Sequence, residues 1–166
     1  PSLVYLVGRR MFVMPDTEGH VAKPPFDTKE TASTNLTEAV DAAIDGVEIV
    51  LLPGLHKLRA RASVNAALTI HGETGNPDDV VIRNAISQGD EQILTLNNAA
   101  ARVYDATWEN DPKSNPYRPC WSIAGQGGTI SNCVIRGFRN GGYHTLIGAL
   151  TIASKDGLAT HCVITN

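Results

Sequence analysis

The sequence predicts an all-β solenoid, a stack of short parallel strands closed at its start by one amphipathic helix. Three observations predict it. The first is composition. With 166 residues, 42% hydrophobic and 19% charged, the chain has the size and apolar content of one domain with a core. Aromatics are only 5% while Gly (15) and Pro (9) are plentiful, which argues against a helical bundle. The second observation is a pair of repeated motifs that keep a constant offset through four cycles. The third is an amphipathic segment placed just before the repeats begin.

Taken in order, residues 1–14 read PSLVYLVGRRMFVM. Arg9 and Arg10 sit in the middle of the apolar run, whereas a signal peptide places charge first. One or two short strands are expected here, and any export signal is expected to be absent from this chain. Residues 34–46 (TNLTEAVDAAIDG) are expected to be a helix with Leu36, Val40, Ala43 and Ile44 on one stripe. Thr34 or Asn35 would cap its start, Glu38 would stand near the third position, and Gly46 would end it. Residues 48–52 (EIVLL) follow as a strand, stopped by Pro53 and Gly54. This divides the chain into residues 1–54, holding the N-terminal strands, the helix and a first strand, and residues 55–166, holding about four coils.

The first repeated motif is Leu68-Thr69-Ile70, Leu94-Thr95-Leu96, Trp121-Ser122-Ile123 and Leu150-Thr151-Ile152, with starts 26, 27 and 29 residues apart. The second is Val80-Val81-Ile82, Ala106-Thr107-Trp108, Cys133-Val134-Ile135 and Cys162-Val163-Ile164, with the same separations. The two tracks stay 12 residues apart in every cycle. Alternation within each triplet marks a strand whose first and third residues point inward. In-register stacking would put Cys133 beside Cys162, Thr95 beside Thr69, and Arg83, Glu109, Arg136 and Thr165 in one outward row. Asp105, Asn132 and His161 each precede the second track and mark a recurrent bend. The chain stops within the fourth cycle with no closing element. It is therefore expected to be a fragment of a longer protein or to be completed by a neighbour at an open C-terminal coil.

The runs PPFDT (residues 24–28), TNLTEAVDAAIDGVEIVLLPG (34–54), ALTIHG (67–72), CVIRG and CVITN resemble secreted bacterial right-handed parallel β-helix repeat proteins of the pectin-lyase-like superfamily. The resemblance implies a right-handed parallel β-helix with an N-terminal amphipathic capping helix and an uncapped C-terminal end. It also implies an extracellular, cell-surface or periplasmic setting and a polysaccharide ligand, uronate-containing glycans included. The fold hosts lyases, hydrolases, adhesins and tailspikes, so activity must be argued from a site. The family's catalytic motifs do not occur in this chain, and no catalytic residue is transferred from it.

Candidate site residues follow from the varying coil lengths. The insertions 85–93, 111–120 and 138–149 leave one corner of successive coils. Lys113, Tyr117, Arg118, Arg139, Tyr143 and His144 would bind ligand there, the cations pairing with uronate carboxylates and the tyrosines stacking under sugars. Arg136 is a candidate base or carboxylate clamp of a β-eliminating lyase, although Glu109 supplies it with a partner, and Lys155, in a turn, is the other candidate base. No cofactor is expected. Asp90, Glu91 and Asp111 offer oxygen ligands suited to Ca2+, but no DxDxDG spacing accompanies them. Cys120, Cys133 and Cys162 lack zinc-site spacing and read as small buried residues. A net charge of −3 provides no basic field for nucleic acid, and the apolar runs are too short for a spanning helix. Two functions compete: a glycan-binding or glycan-processing protein, and a non-enzymatic adhesin or structural module that associates end to end. Ice binding by the threonine row is a third.

Overall fold

The computed structural model describes residues 9–86, 92–111, 121–123, 126–138 and 149–165. The elements are β1 (Arg10–Val13), α1 (Leu36–Ala42), β2 (Glu48–Leu51), β3 (Gly54–Leu58), β4 (Ala62–Val64), β5 (Thr69–Gly72) and β6 (Val80–Asn84). They continue as β7 (Leu94–Leu96), β8 (Arg102–Asn110), β9 (Trp121–Ile123), β10 (Gly128–Arg136), β11 (Leu150–Ile152), β12 (Gly157–Thr160) and β13 (Val163–Thr165). Among the described residues the structure is all-β apart from α1 and one 3-10 turn, and every strand pair is parallel.

The strands align in three ladders. In the first, β1, β2, β5, the first half of β8, the first half of β10 and β12 stack the inward row Met11, Ile49, Ile70, Val103, Ile130 and Ala159. In the second, β3, β6, the rest of β8, the rest of β10 and β13 stack His56, Ile82, Trp108, Ile135 and Ile164. In the third, β4, β7, β9 and β11 stack Val64, Leu96, Ile123 and Ile152. In every strand but β9, alternation sends these side chains inward. Ile49, Ile70, Ile82, Trp108, Ile135, Val64 and Leu96 are completely buried. Each such side chain contributes roughly 1.5–3 kcal/mol of transfer free energy.

The second track holds its expected register throughout. Val134 pairs with Thr107 and Val163, and Val81 with Thr107. It also begins one cycle earlier, at β3. The strand positions Gly54, Val80, Ala106, Cys133 and Cys162 lie 26, 26, 27 and 29 residues apart.

The first track is corrected at its first member. Ala62-Ser63-Val64, not Leu68-Thr69-Ile70, stacks on Leu94-Thr95-Leu96. Thr69 instead pairs with Glu48 and Arg102 in another ladder. The hydroxyl residues that share a register row are therefore Ser63, Thr95, Ser122 and Thr151. The cause is a seven-residue excursion, 73–79, between β5 and β6, containing a 3-10 turn at Pro77–Asp79. It delays the second track in that cycle, so the 12-residue offset falls on a different strand. The excursion folds over β8, where Thr107 Oγ1 donates to Pro77 O at 2.8 Å and becomes fully buried.

Helix α1 is shorter than expected. Asn35 caps it, accepting from Thr37 N at 3.1 Å, and Ser33 Oγ links Asn35 to Glu38 Oε2 at 2.9 Å. The helix stops at Ala43, whose backbone is already extended, rather than at Gly46. Leaving early lets Ile44 pack on the core and lets Asp45 Oδ1 accept from Ala67 N at 2.7 Å. Leu36, Ala39 and Val40 are buried, and the helix packs on β4, the terminal strand of the short sheet.

Candidate functional site

Positions along each ladder are set by register, so outward side chains form rows about 4.8 Å apart. Three groups in such rows carry chemistry.

The first is the expected charged row. Arg83 Nε donates to Glu109 Oε1 at 2.6 Å, and Arg136 Nε donates to Glu109 Oε2 at 2.9 Å. Both guanidinium groups also approach through Nη2, so each makes a two-pronged contact. Arg136 is thus held by Glu109, and Thr165 is the next residue of the row. Lys155 is exposed in the turn before β12 and pairs with Asp156 at 3.4 Å. The two candidate bases are therefore far apart in kind: one locked in an ion-pair row, the other on a solvated turn.

The second row is the bend. Asp105, Asn132 and His161 all adopt left-handed backbone, with φ of 60°, 45° and 52°. Asp and Asn tolerate this conformation better than other side chains, which is why they recur there. Asn132 Nδ2 donates to Asp105 Oδ1 at 2.7 Å. His161 does not join them, since its Nδ1 meets Thr160 Oγ1 at 2.8 Å. No three-residue relay forms.

The third group spans two neighbouring rows, Arg10–Glu48 and His71–Tyr104, and was not read from the sequence. On the outer face of the first ladder, Arg10 Nε donates to Glu48 Oε2 at 2.6 Å. Glu48 Oε1 lies 2.8 Å from His71 Nε2, and His71 Nδ1 lies 2.9 Å from Gly72 O. The His71 ring stacks on Tyr104 with centroids 5.0 Å apart and planes 13° apart. Hydrogen bonding from Arg10 holds the Glu48 carboxyl below its usual range. Partial burial, with Glu48 and Asp105 nearby, raises the Tyr104 hydroxyl above its usual value. The signal that could have found the Tyr104 end of this group is an apolar residue three positions before the last three second-track starts: Val103, Ile130 and Ala159. These mark the missing strands and hence their outward neighbours.

The expected ligand-binding residues Lys113, Tyr117, Arg118, Arg139, Tyr143 and His144 lie outside the described residues, as do Asp90 and Glu91. Asp111 is described, is half-buried directly after β8, and engages in an interaction of its own. Of the cysteines, Cys133 and Cys162 are free thiols, each one residue before the Val134–Val163 pair and so at adjacent register positions, and Cys120 lies outside the described residues. Burial pushes the Cys133 thiol up to about 12. A hollow of about 160 Å3 lined by Met11, Pro24, Pro25, Ala42, Ile44 and Val47 sits beside β1, too small for an ordinary ligand pocket. No helix among the described residues is long and apolar enough to cross a membrane. No protein-family model matches the chain, and neither a curated protein nor a solved structure is recognisably similar to it.

Proposed function

We propose that this chain is a right-handed parallel β-helix of the pectin-lyase-like kind and that it acts outside the cell as a polysaccharide-binding surface, uronate-containing glycans being its ligands. One observation carries the reading. The three insertions begin and end at residues held in register. Asn84 pairs with Asn110, whose next layer is Gly137, and Leu94, Trp121 and Leu150 stack on one another. The described residues that flank all three insertions therefore share one corner of the stack, and the Arg, Lys, Tyr and His residues of those insertions are the ones we assign to one extended ligand. The side chains named for catalysis favour binding over turnover, because Arg136 is engaged by Glu109. The test is a combined Arg118→Ala, Arg139→Ala, Tyr143→Ala and His144→Ala variant titrated with tetragalacturonate by calorimetry. Affinity is expected to fall at least about tenfold, the scale of one lost charge-assisted contact. Unchanged affinity would remove the loop corner from the function.

A second reading, end-to-end association of a structural module, is favoured by a separate observation. Ile152, Leu158, Val163 and Ile164 on the last strands are 45–54% exposed, and β11, β12 and β13 each pair on one side only. Exposed apolar side chains beside unpaired strand edges are a template for a further strand.

A further inference from the structure

The outer row of the first ladder runs Phe12, Val50, His71, Tyr104, Ser131, Thr160. Side chains are large up to Tyr104 and short beyond it. His71 covers one face of the Tyr104 ring. The opposite face looks along the sheet over Ser131 and Thr160, which stand one and two strand spacings away. Stacked rings prefer centroids 4.5–7 Å apart, and one strand spacing is about 4.8 Å. A ligand ring lying over Ser131 would thus rest on Tyr104 at stacking distance. The hydroxyl of Ser131 has no partner among the described residues, and one layer further on stands the Thr160 hydroxyl, which meets His161 Nδ1 at 2.8 Å and keeps capacity for a further hydrogen bond. Arg102 stands two residues before Tyr104 on the same face, roughly 7 Å along the strand. It is exposed and has no carboxylate partner among the described residues, and its charge acts at the Tyr104 hydroxyl against the larger, opposite effects of Glu48 and Asp105.

We propose that this ledge is a glycan subsite for an acidic pyranose, whose apolar ring face stacks on Tyr104, whose hydroxyls meet Ser131 and Thr160, and whose carboxylate pairs with Arg102. An apolar platform, a hydroxyl floor and an unneutralised cation suit a ring with an apolar face, a polar rim and a negative charge. The ledge shares the expectation of an acidic glycan with the loop-corner reading and uses none of the same residues.

Calorimetry on the whole chain, with tetragalacturonate and the neutral maltotetraose as probes, tests it. Tyr104→Ala should weaken tetragalacturonate binding about tenfold, and Tyr104→Phe, which keeps the ring, should stay within about twofold of the parent. Arg102→Gln should reduce the acidic probe to the affinity of the neutral one. Ser131→Trp should block binding by filling the ledge while thermal stability is retained, which separates occupancy from unfolding. Parent-like binding by both Tyr104→Ala and Ser131→Trp would overturn the ledge. If the loop variant alone loses binding, the ledge fails and the loop corner stands. If Tyr104→Ala alone loses it, the reverse holds, and a parent that binds neither probe defeats both.

Discussion

His56 occupies an inward position where the later members of its row are Ile82, Trp108, Ile135 and Ile164. Its Nε2 donates to Leu52 O at 2.7 Å, while Nδ1 is buried without a partner. Burial lowers the His56 pKa from its ordinary 6.5, so the folded chain holds the ring neutral. The unfolded chain then binds the extra proton first as pH falls. Stability is complete above about 6.5 and declines below it, by at most about 1.4 kcal/mol per pH unit until the folded value is reached. Urea midpoints at pH 7.5 and 5.5 should separate in the parent and converge in His56→Leu. An equal separation in both would assign the slope to another group. Glu48 and Asp16, whose pKa values are lowered by Arg10 and Arg59, act only at more acidic pH and leave this window clear.

Between strands, a side chain's value depends on the row it joins. Glu109 is 8% exposed and accepts from Arg83 on one neighbour and Arg136 on the other. Lys57 stands in register beyond Arg83, so removing Glu109 leaves a row of cations. Glu109→Ala should cost about 1–2 kcal/mol, discounted because both arginines are partly exposed. Thermal melts should show that cost shrinking as salt screens the remaining like charges. A loss independent of salt would mean that packing, not charge, dominates. The inner neighbour of this row behaves differently. Asn84 Nδ2 donates to Asn110 Oδ1 at 3.0 Å, and Asn84 Oδ1 accepts from Ile86 N at 3.0 Å, with both asparagines buried. That pair fastens the start of one insertion to the start of the next.

At the scale of the whole molecule, burial grades along the stack. Ile82, Trp108 and Ile135 are fully buried, whereas Ile164, the next residue in their row, is 54% exposed. Helix α1 covers the opposite end beside β4, burying Leu36, Ala39 and Val40. On the structural-module reading, association of this chain uses the β11–β13 edge. Light scattering over a concentration series should show a rising mass for the parent. Val163→Lys combined with Ile164→Lys should lower it, because lysines on an edge strand oppose pairing. An unchanged mass in that variant would place the contact elsewhere and weaken the structural-module reading.

What the sequence determined by itself was the second ladder and all that hangs on it. The Val80, Ala106, Cys133 and Cys162 register, the Arg83–Glu109–Arg136 row, the Cys133–Cys162 adjacency and the bend at Asp105, Asn132 and His161 were legible. Inward side chains must fill the same space in each layer, so similar residues recur at a fixed period. Only the tertiary structure decided the first-track assignment, the early end of α1 and the Arg10–Glu48–His71–Tyr104 cluster. Outward positions of the first ladder face no shared packing constraint, and Arg10, Glu48, Thr69 and Arg102 have no common chemistry to betray their register. The excursion 73–79 then shifted one cycle against the others. A period read from sequence counts residues, whereas a ladder counts hydrogen-bonded neighbours, and the two part wherever a loop is inserted between strands.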